Sequence, residues 1–164
     1  MDLRGNVGTR LLKLDEGNYD AIVIASAGLI RLKQNTRICS RLEPQECLPA
    51  AGQGAIGIES RVNDKETQKI ISRIHDAITA SCVLAERAVN QRLQGSCQVP
   101  IASYAQLHKN RMRLRALVGR VDGTHIVRSE RVDDCDSARE LGLRVADDLL
   151  KKGAGNILDE LQEE

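Results

Sequence analysis

Leu93-Gln94-Gly95-Ser96-Cys97-Gln98-Val99-Pro100 divides the chain between two periodicities, and its reading decides the fold. Upstream, apolar residues recur at helical spacing from Ala77 to Leu93, and Gly95 is a natural helix stop. Downstream, Pro100 forces extended backbone and the pattern changes to alternation. Ile101 to Leu107, Arg111 to Gly119 and His125 to Arg131 read as three strands. Asp122-Gly123 between the last two is a strong hairpin signal. Ser137 to Lys152 then reads as an amphipathic helix with Ser137 at its N-cap and Gly153 at its stop, and Asn156 to Gln162 as a short closing helix. Three antiparallel strands covered by helices make a small α+β domain. Cys97 falls on the loop between its first long helix and its first strand, where a sulfur can face a cleft.

Working back toward the N-terminus, the text is of the α/β kind. Leu3-Arg-Gly-Asn-Val-Gly-Thr-Arg10 feeds a helical pattern through Leu11, Leu12 and Leu14 that stops at Gly17. Gly5, Asn6 and Gly8 permit a tight loop whose following helix directs N–H groups at what the loop holds. Arg4 and Arg10 flank it, a pairing suited to a carboxylate, which guanidinium binds through two parallel hydrogen bonds. Two solvated surface arginines fit the same text. Asp20 to Ala25 is a short apolar run with the pattern of a buried parallel strand, and Ser26 to Leu32 turns it into a helix. Ligands of open α/β sheets bind beyond the carboxyl ends of strands, which places Ala25 to Gly28 at such a site, with Arg31 available as a third cation.

Cys47-Leu-Pro-Ala-Ala-Gly-Gln-Gly54 is rich in small residues and turn formers and reads as a crossing between domains. Ala55 to Ser60 alternates as a strand does, and Gln53 just before it is placed to hydrogen-bond a ligand or to satisfy its own turn. Asp64 to His75 reads as a helix with Ile70, Ile71 and Ile74 on one face. In the next helix Ile78, Val83, Leu84, Ala88 and Leu93 form the expected apolar stripe, with Cys82 within it as core packing.

Composition narrows the function classes. The 164 residues carry 24 Lys plus Arg against 23 acidic residues, a net charge of +1, which gives no electrostatic case for nucleic acid or an anionic membrane. Base-stacking platforms are nearly absent, since Tyr19 and Tyr104 are the whole aromatic complement beside histidine. Five cysteines without a C-x-x-C pair argue against a disulfide framework and a zinc site, so no metal is expected and a reducing, cytoplasmic setting fits. Met1 to Asn6 carries no apolar signal segment, and no apolar run is long enough to span a bilayer.

Four stretches together resemble the hydroxymethylbilane synthase (porphobilinogen deaminase) family: Leu3 to Arg10, Tyr19 to Ala25 leading into Ala27-Gly28-Leu29 and Arg31, Leu48 to Gly54, and Gly95 to Pro100. The resemblance implies a tetrapyrrole-pathway transferase that joins four porphobilinogen units with loss of ammonia. It implies a dipyrromethane cofactor held by Cys97 through a thioether, with Arg4, Arg10 and Arg31 matching arginines that bind acetate and propionate groups. Gln53 matches a residue lining the same cleft, and Ala25 and Gly28 match backbone contacts near it. Tethering of this kind needs no histidine beside the cysteine.

The same resemblance implies that the chain is a C-terminal portion. The family's acidic catalytic residue then lies outside it, so the catalytic group here is unknown, and the chain alone is expected to be inactive and aggregation-prone. On this reading residues 1–50 finish a partial periplasmic-binding-protein-like α/β domain, 51–75 cross back toward a missing N-terminal domain, and 76–164 form the α+β domain. The missing part is then a partner, porphobilinogen the substrate, and the whole enzyme a monomer. A non-catalytic carboxylate-binding or regulatory module derived from the same fold is the alternative.

Overall fold

The computed structural model describes residues 3–95 and 99–160; Cys97, with Ser96 and Gln98, lies outside them. The chain divides between Leu42 and Glu43 into two compact units.

In the first unit, helix α1 (Val7–Asp15) begins where Asn6, in extended backbone, accepts the Thr9 amide at 2.9 Å through Oδ1. That side chain satisfies one of the amides a helix start leaves without a partner. Gly8 therefore lies in the first helical turn and not in the preceding loop. The helix ends as expected before Gly17, whose amide reaches the Leu14 carbonyl at 3.0 Å. Helix α2 (Ser26–Arg31) follows, with Ala25 at its N-cap. Leu11 and Leu29 are the buried apolar side chains of this unit among the described residues.

Asp20 to Ala25 does not form the expected strand. It has no regular secondary structure up to α2, among the described residues no strand pairs with it, and Val23 is 72% exposed. Apolar content favours extended backbone, but only a neighbouring backbone completes the hydrogen-bond ladder. Ala55 to Ser60 differs from expectation in the same way, with Ile56 83% exposed.

The second unit holds the three-stranded sheet: β1 (Ile101–His108), β2 (Arg111–Gly119) and β3 (Ile126–Asp134), antiparallel in the order 1-2-3. The β2–β3 hairpin turns at Asp122-Gly123, where Asp122 accepts the Thr124 amide at 3.0 Å and Gly123 takes φ +73°. Alternation sets the faces. Met112, Leu114, Ala116 and Val118 point into the core, and Arg113 and Arg115 point away. On the outer face Arg113 pairs with Glu130 through two bonds of 2.8 and 3.0 Å, and the Arg115 guanidinium lies 5.6 Å from the Tyr104 ring centre. The chemistry of this class, helices on one side of a small antiparallel sheet, is as the sequence predicts.

Two helices cover the inner face: α4 (Ala77–Arg92) and α5 (Ala138–Leu149). Ahead of α4 in the chain, α3 takes Lys65–Ile71 and continues into a 3-10 turn at Ser72–Ile74. Asp76 caps α4 by accepting the Thr79 amide at 2.7 Å. Ser137 stands at the N-cap position of α5 but donates its hydroxyl to the Asp134 carbonyl instead of accepting a helix amide. Past α5 the helix breaks at Gly153, whose φ is +97°, as its place as a stop predicts, and α6 (Gly155–Glu160) closes the described residues.

The buried face of α4 differs from the expected stripe. Ala85, Glu86, Ala88 and Val89 are buried, as is Leu93 just beyond, whereas Ile78 and Leu84 are 58% and 48% exposed. The cause is a close crossing: a Cβ on Gly142 of α5 would lie 2.4 Å from the Ala85 carbonyl oxygen and 2.6 Å from the Ala88 Cβ. Small residues let these helices approach, and that contact rotates the larger side chains outward. Each fully buried leucine, Leu114 or Leu141 for example, stabilises the unit by about 1.5–3 kcal/mol relative to exposure.

Candidate cofactor-binding site

The expected site residues fall in both units, and each group is described by itself. In the first unit, Arg4 and Arg10 stand on either side of Gly5 and Asn6. Arg10 donates Nε to the Gly5 carbonyl at 2.8 Å, and Lys13 donates to the Arg4 carbonyl at 3.2 Å. The loop is therefore tied to one face of α1 by side chains of that helix. That bond uses one of the five N–H donors a guanidinium carries, so Arg10 keeps a planar donor set suited to a carboxylate.

Gly28 packs against the start of α1: a Cβ there would meet Val7 Cγ2 at 3.5 Å. Its amide is bound to the Ala25 carbonyl at 3.0 Å. The fold thus brings Ala25 and Gly28 to the helix that carries Arg10. Arg31 occupies the last position of α2 and is exposed.

In the second unit Gln53 sits, exposed, in a turn whose flanking glycines are both left-handed, Gly52 at φ +71° and Gly54 at φ +85°. A side chain at either position would be strained, which explains the Gly-Gln-Gly pattern. The turn closes through the Gln53 amide to the Ala50 carbonyl at 3.0 Å and Ala55 to Gly52 at 3.1 Å. It is fastened to the domain behind it at two points. The Ser103 amide of β1 donates to the Pro49 carbonyl at 3.1 Å, and the Gly52 amide donates to Glu86 Oε2 at 2.7 Å.

Glu86 was not among the residues the sequence singled out. It is 5% exposed, and its other oxygen accepts the Ala105 amide at 2.8 Å. Burial pushes its carboxyl above the ordinary 4.5, against the two amides that favour the charged form. The signal was present in the spacing: Cys82, Glu86, Val89 and Leu93 fall on one helical stripe, so a carboxylate there has to find buried donors.

The expected anchor, Cys97, lies outside the described residues, but the residues leading to it are placed. Asn90 accepts the Gly95 amide on its carbonyl at 2.9 Å and reaches the Gly95 carbonyl with its side-chain nitrogen at 3.4 Å. Gln94 takes a left-handed φ of +53° to make that reversal. The loop thus leaves α4 from a fixed point.

The first unit carries arginines beside a glycine-containing loop, and the second carries a glycine turn fastened to an α+β core. Residues 1–69 match the family model described as porphobilinogen deaminase, dipyromethane cofactor binding domain, and residues 80–151 match porphobilinogen deaminase, C-terminal domain. The two matches follow one another and leave only residues 70–79 and 152–164 unmatched. The chain belongs to the porphobilinogen deaminase family, which works in tetrapyrrole biosynthesis.

The cofactor of this family is dipyrromethane, and a domain for binding it is what residues 1–69 match. The residues present fit that group, since arginines beside a glycine-containing loop are the donors that its acidic side chains require. Porphobilinogen is the substrate the family implies. Among the described residues no helix is long and apolar enough to cross a membrane.

Proposed function

We propose that this chain is the C-terminal portion of a hydroxymethylbilane synthase, which joins four porphobilinogen units into hydroxymethylbilane with release of ammonia. The observation that carries the proposal is the pair of consecutive family matches, cofactor-binding domain first and C-terminal domain second. Bound dipyrromethane supplies the primer that the growing chain extends. Cys97 holds it by a thioether, formed from the thiolate rather than the thiol. Arg4, Arg10 and Arg31 hold carboxylates and keep their charge at any working pH. Gln53 donates or accepts at the cleft from its glycine turn, and Ala25 and Gly28 contribute backbone contacts.

In this proposal residues 1–50 complete an α/β domain, 51–75 return toward the N-terminal part of the enzyme, and 76–164 form the domain that carries Cys97. The acidic group that assists ammonia loss belongs to that N-terminal part, and the whole enzyme is a cytoplasmic monomer that binds no nucleic acid. Support comes from exposed apolar side chains on segments that join no sheet among the described residues, Val23 and Ile56, of the kind a neighbouring strand would cover.

The test is complementation of activity. The 164-residue chain alone is expected to turn over no porphobilinogen, and the same chain joined to an N-terminal part of the family is expected to do so. Steady turnover by the chain alone overturns the fragment reading. Carboxylate binding that depends on Arg10, with no turnover in the joined protein, favours a non-catalytic or regulatory module.

A further inference from the structure

The geometry points to Glu86 as a positioning residue that fixes the Gln53 turn; the role rests on the reading of Gln53 as a cleft ligand given above. Glu86 is one of three buried polar or charged residues among the described part of the chain, the others being Ser103 and Ser129. Its two carboxylate oxygens are divided between two structures. Oε1 holds the Ala105 amide in β1, and Oε2 holds the Gly52 amide in the turn. Its own backbone carbonyl receives the Ser103 hydroxyl at 3.4 Å, while the Ser103 amide holds Pro49. One helix position thereby connects α4, the first strand and the Pro49 to Gly54 segment.

A carboxylate suits this place because both neighbours are donors. A glutamine would turn its NH2 toward one of them and leave that amide unpaired. A purely apolar side chain would leave both unpaired. The turn closes on itself through the Gln53 and Ala55 amides, and the Gly52 bond to Glu86 ties that closed turn to α4, which fixes where Gln53 is presented.

The test uses the whole enzyme and compares wild type, Glu86→Gln, Gln53→Ala, the double variant, and Ser103→Ala. Hydrogen exchange at Gly52 is expected to accelerate about tenfold or more in Glu86→Gln, as for loss of a single buried hydrogen bond, and to stay unchanged in Ser103→Ala. Porphobilinogen kcat/KM is expected to fall about 3- to 10-fold in Glu86→Gln, and the double variant to fall no further than Gln53→Ala, because one acts through the other. Unchanged exchange at Gly52 overturns the anchoring. Additive losses in the double variant overturn positioning, since a merely structural role lowers activity independently of Gln53. If Gln53→Ala leaves kinetics at the wild-type level, the ligand reading of Gln53 falls and the positioning role with it, and accelerated Gly52 exchange identifies that case. Should Glu86→Gln fail to fold, Glu86→Asp keeps the charge with one methylene less reach and carries the same comparison.

Discussion

Gly142 brings α5 against the backbone of α4 at Ala85: a Cβ on Gly142 would stand 2.4 Å from the Ala85 carbonyl oxygen. Because the obstacle is helix backbone, Gly142→Ala must push α5 off α4. The substitution is expected to destabilise the unit by about 1–3 kcal/mol despite alanine's better helix propensity. Urea unfolding checks it, and a midpoint at or above wild type would show that the helices give way freely.

Gly95 and Asn90 fix where the chain leaves α4 toward Cys97. A Cβ at Gly95 would lie 2.2 Å from Asn90 Oδ1 and 2.7 Å from Ile101 Cδ1, so Gly95→Ala must turn Asn90 away from the Gly95 carbonyl. Both obstacles are side-chain ends, so the fold survives and the loop shifts. Expected in the whole enzyme is a normal circular-dichroism spectrum with a reduced fraction of covalently loaded protein, read by intact mass.

The strands of the C-terminal sheet were legible because alternation and an Asp-Gly turn act locally. β2 alternates arginines with Met112, Leu114 and Ala116, and the observed range matches the expected one, Arg111–Gly119. Asp20 to Ala25 was not legible as it stands, because a ladder depends on a second backbone that its own residues do not specify. The α4 stripe was misjudged for a different reason. Large side chains such as Ile78 and Leu84 weigh most in an apolar pattern, whereas the packing is set by Ala85, Ala88 and Gly142, which have almost no side chain. The turn at Gly52 to Gly54 was readable from its glycines, whereas the buried Glu86 behind it was not, because a charged residue reads as surface.

Two carboxylates give pH dependences of opposite sign. The Asp76 carboxyl is held below 3.8, chiefly by its side-chain bond to Thr79 and then by the Thr79 amide. The folded state binds its proton less readily, so this stabilisation is present above 3.8 and is lost as pH falls through the lower folded value. Burial holds the Glu86 carboxyl above 4.5, so its contribution is full below 4.5 and is lost as pH rises through the higher folded value. Stability of Asp76→Asn is expected to vary less than wild type on the acid side. Glu86→Gln is expected to vary less above 4.5. Denaturation at a series of pH values separates them.

Exposed apolar side chains outside regular structure give a solubility prediction. Ile56 and Val62 are 83% and 86% exposed, and Ile56 alternates with Ile58 along a segment with unladdered backbone. Such an edge pairs with other chains. Ile56→Asp is expected to lower light scattering of the isolated chain at a fixed concentration while its thermal midpoint changes by less than about 0.5 kcal/mol equivalent, as for an exposed site. Unchanged scattering would move the sticky surface elsewhere.

The proposed anchoring of dipyrromethane at Cys97 is tested most directly by intact-protein mass of the chain joined to an N-terminal part of the family. The account predicts a mass above that of the bare polypeptide by one two-pyrrole unit, absent from Cys97→Ser and retained in Cys82→Ser. A bare mass for the wild-type protein with porphobilinogen supplied, or an adduct that survives Cys97→Ser, would contradict it.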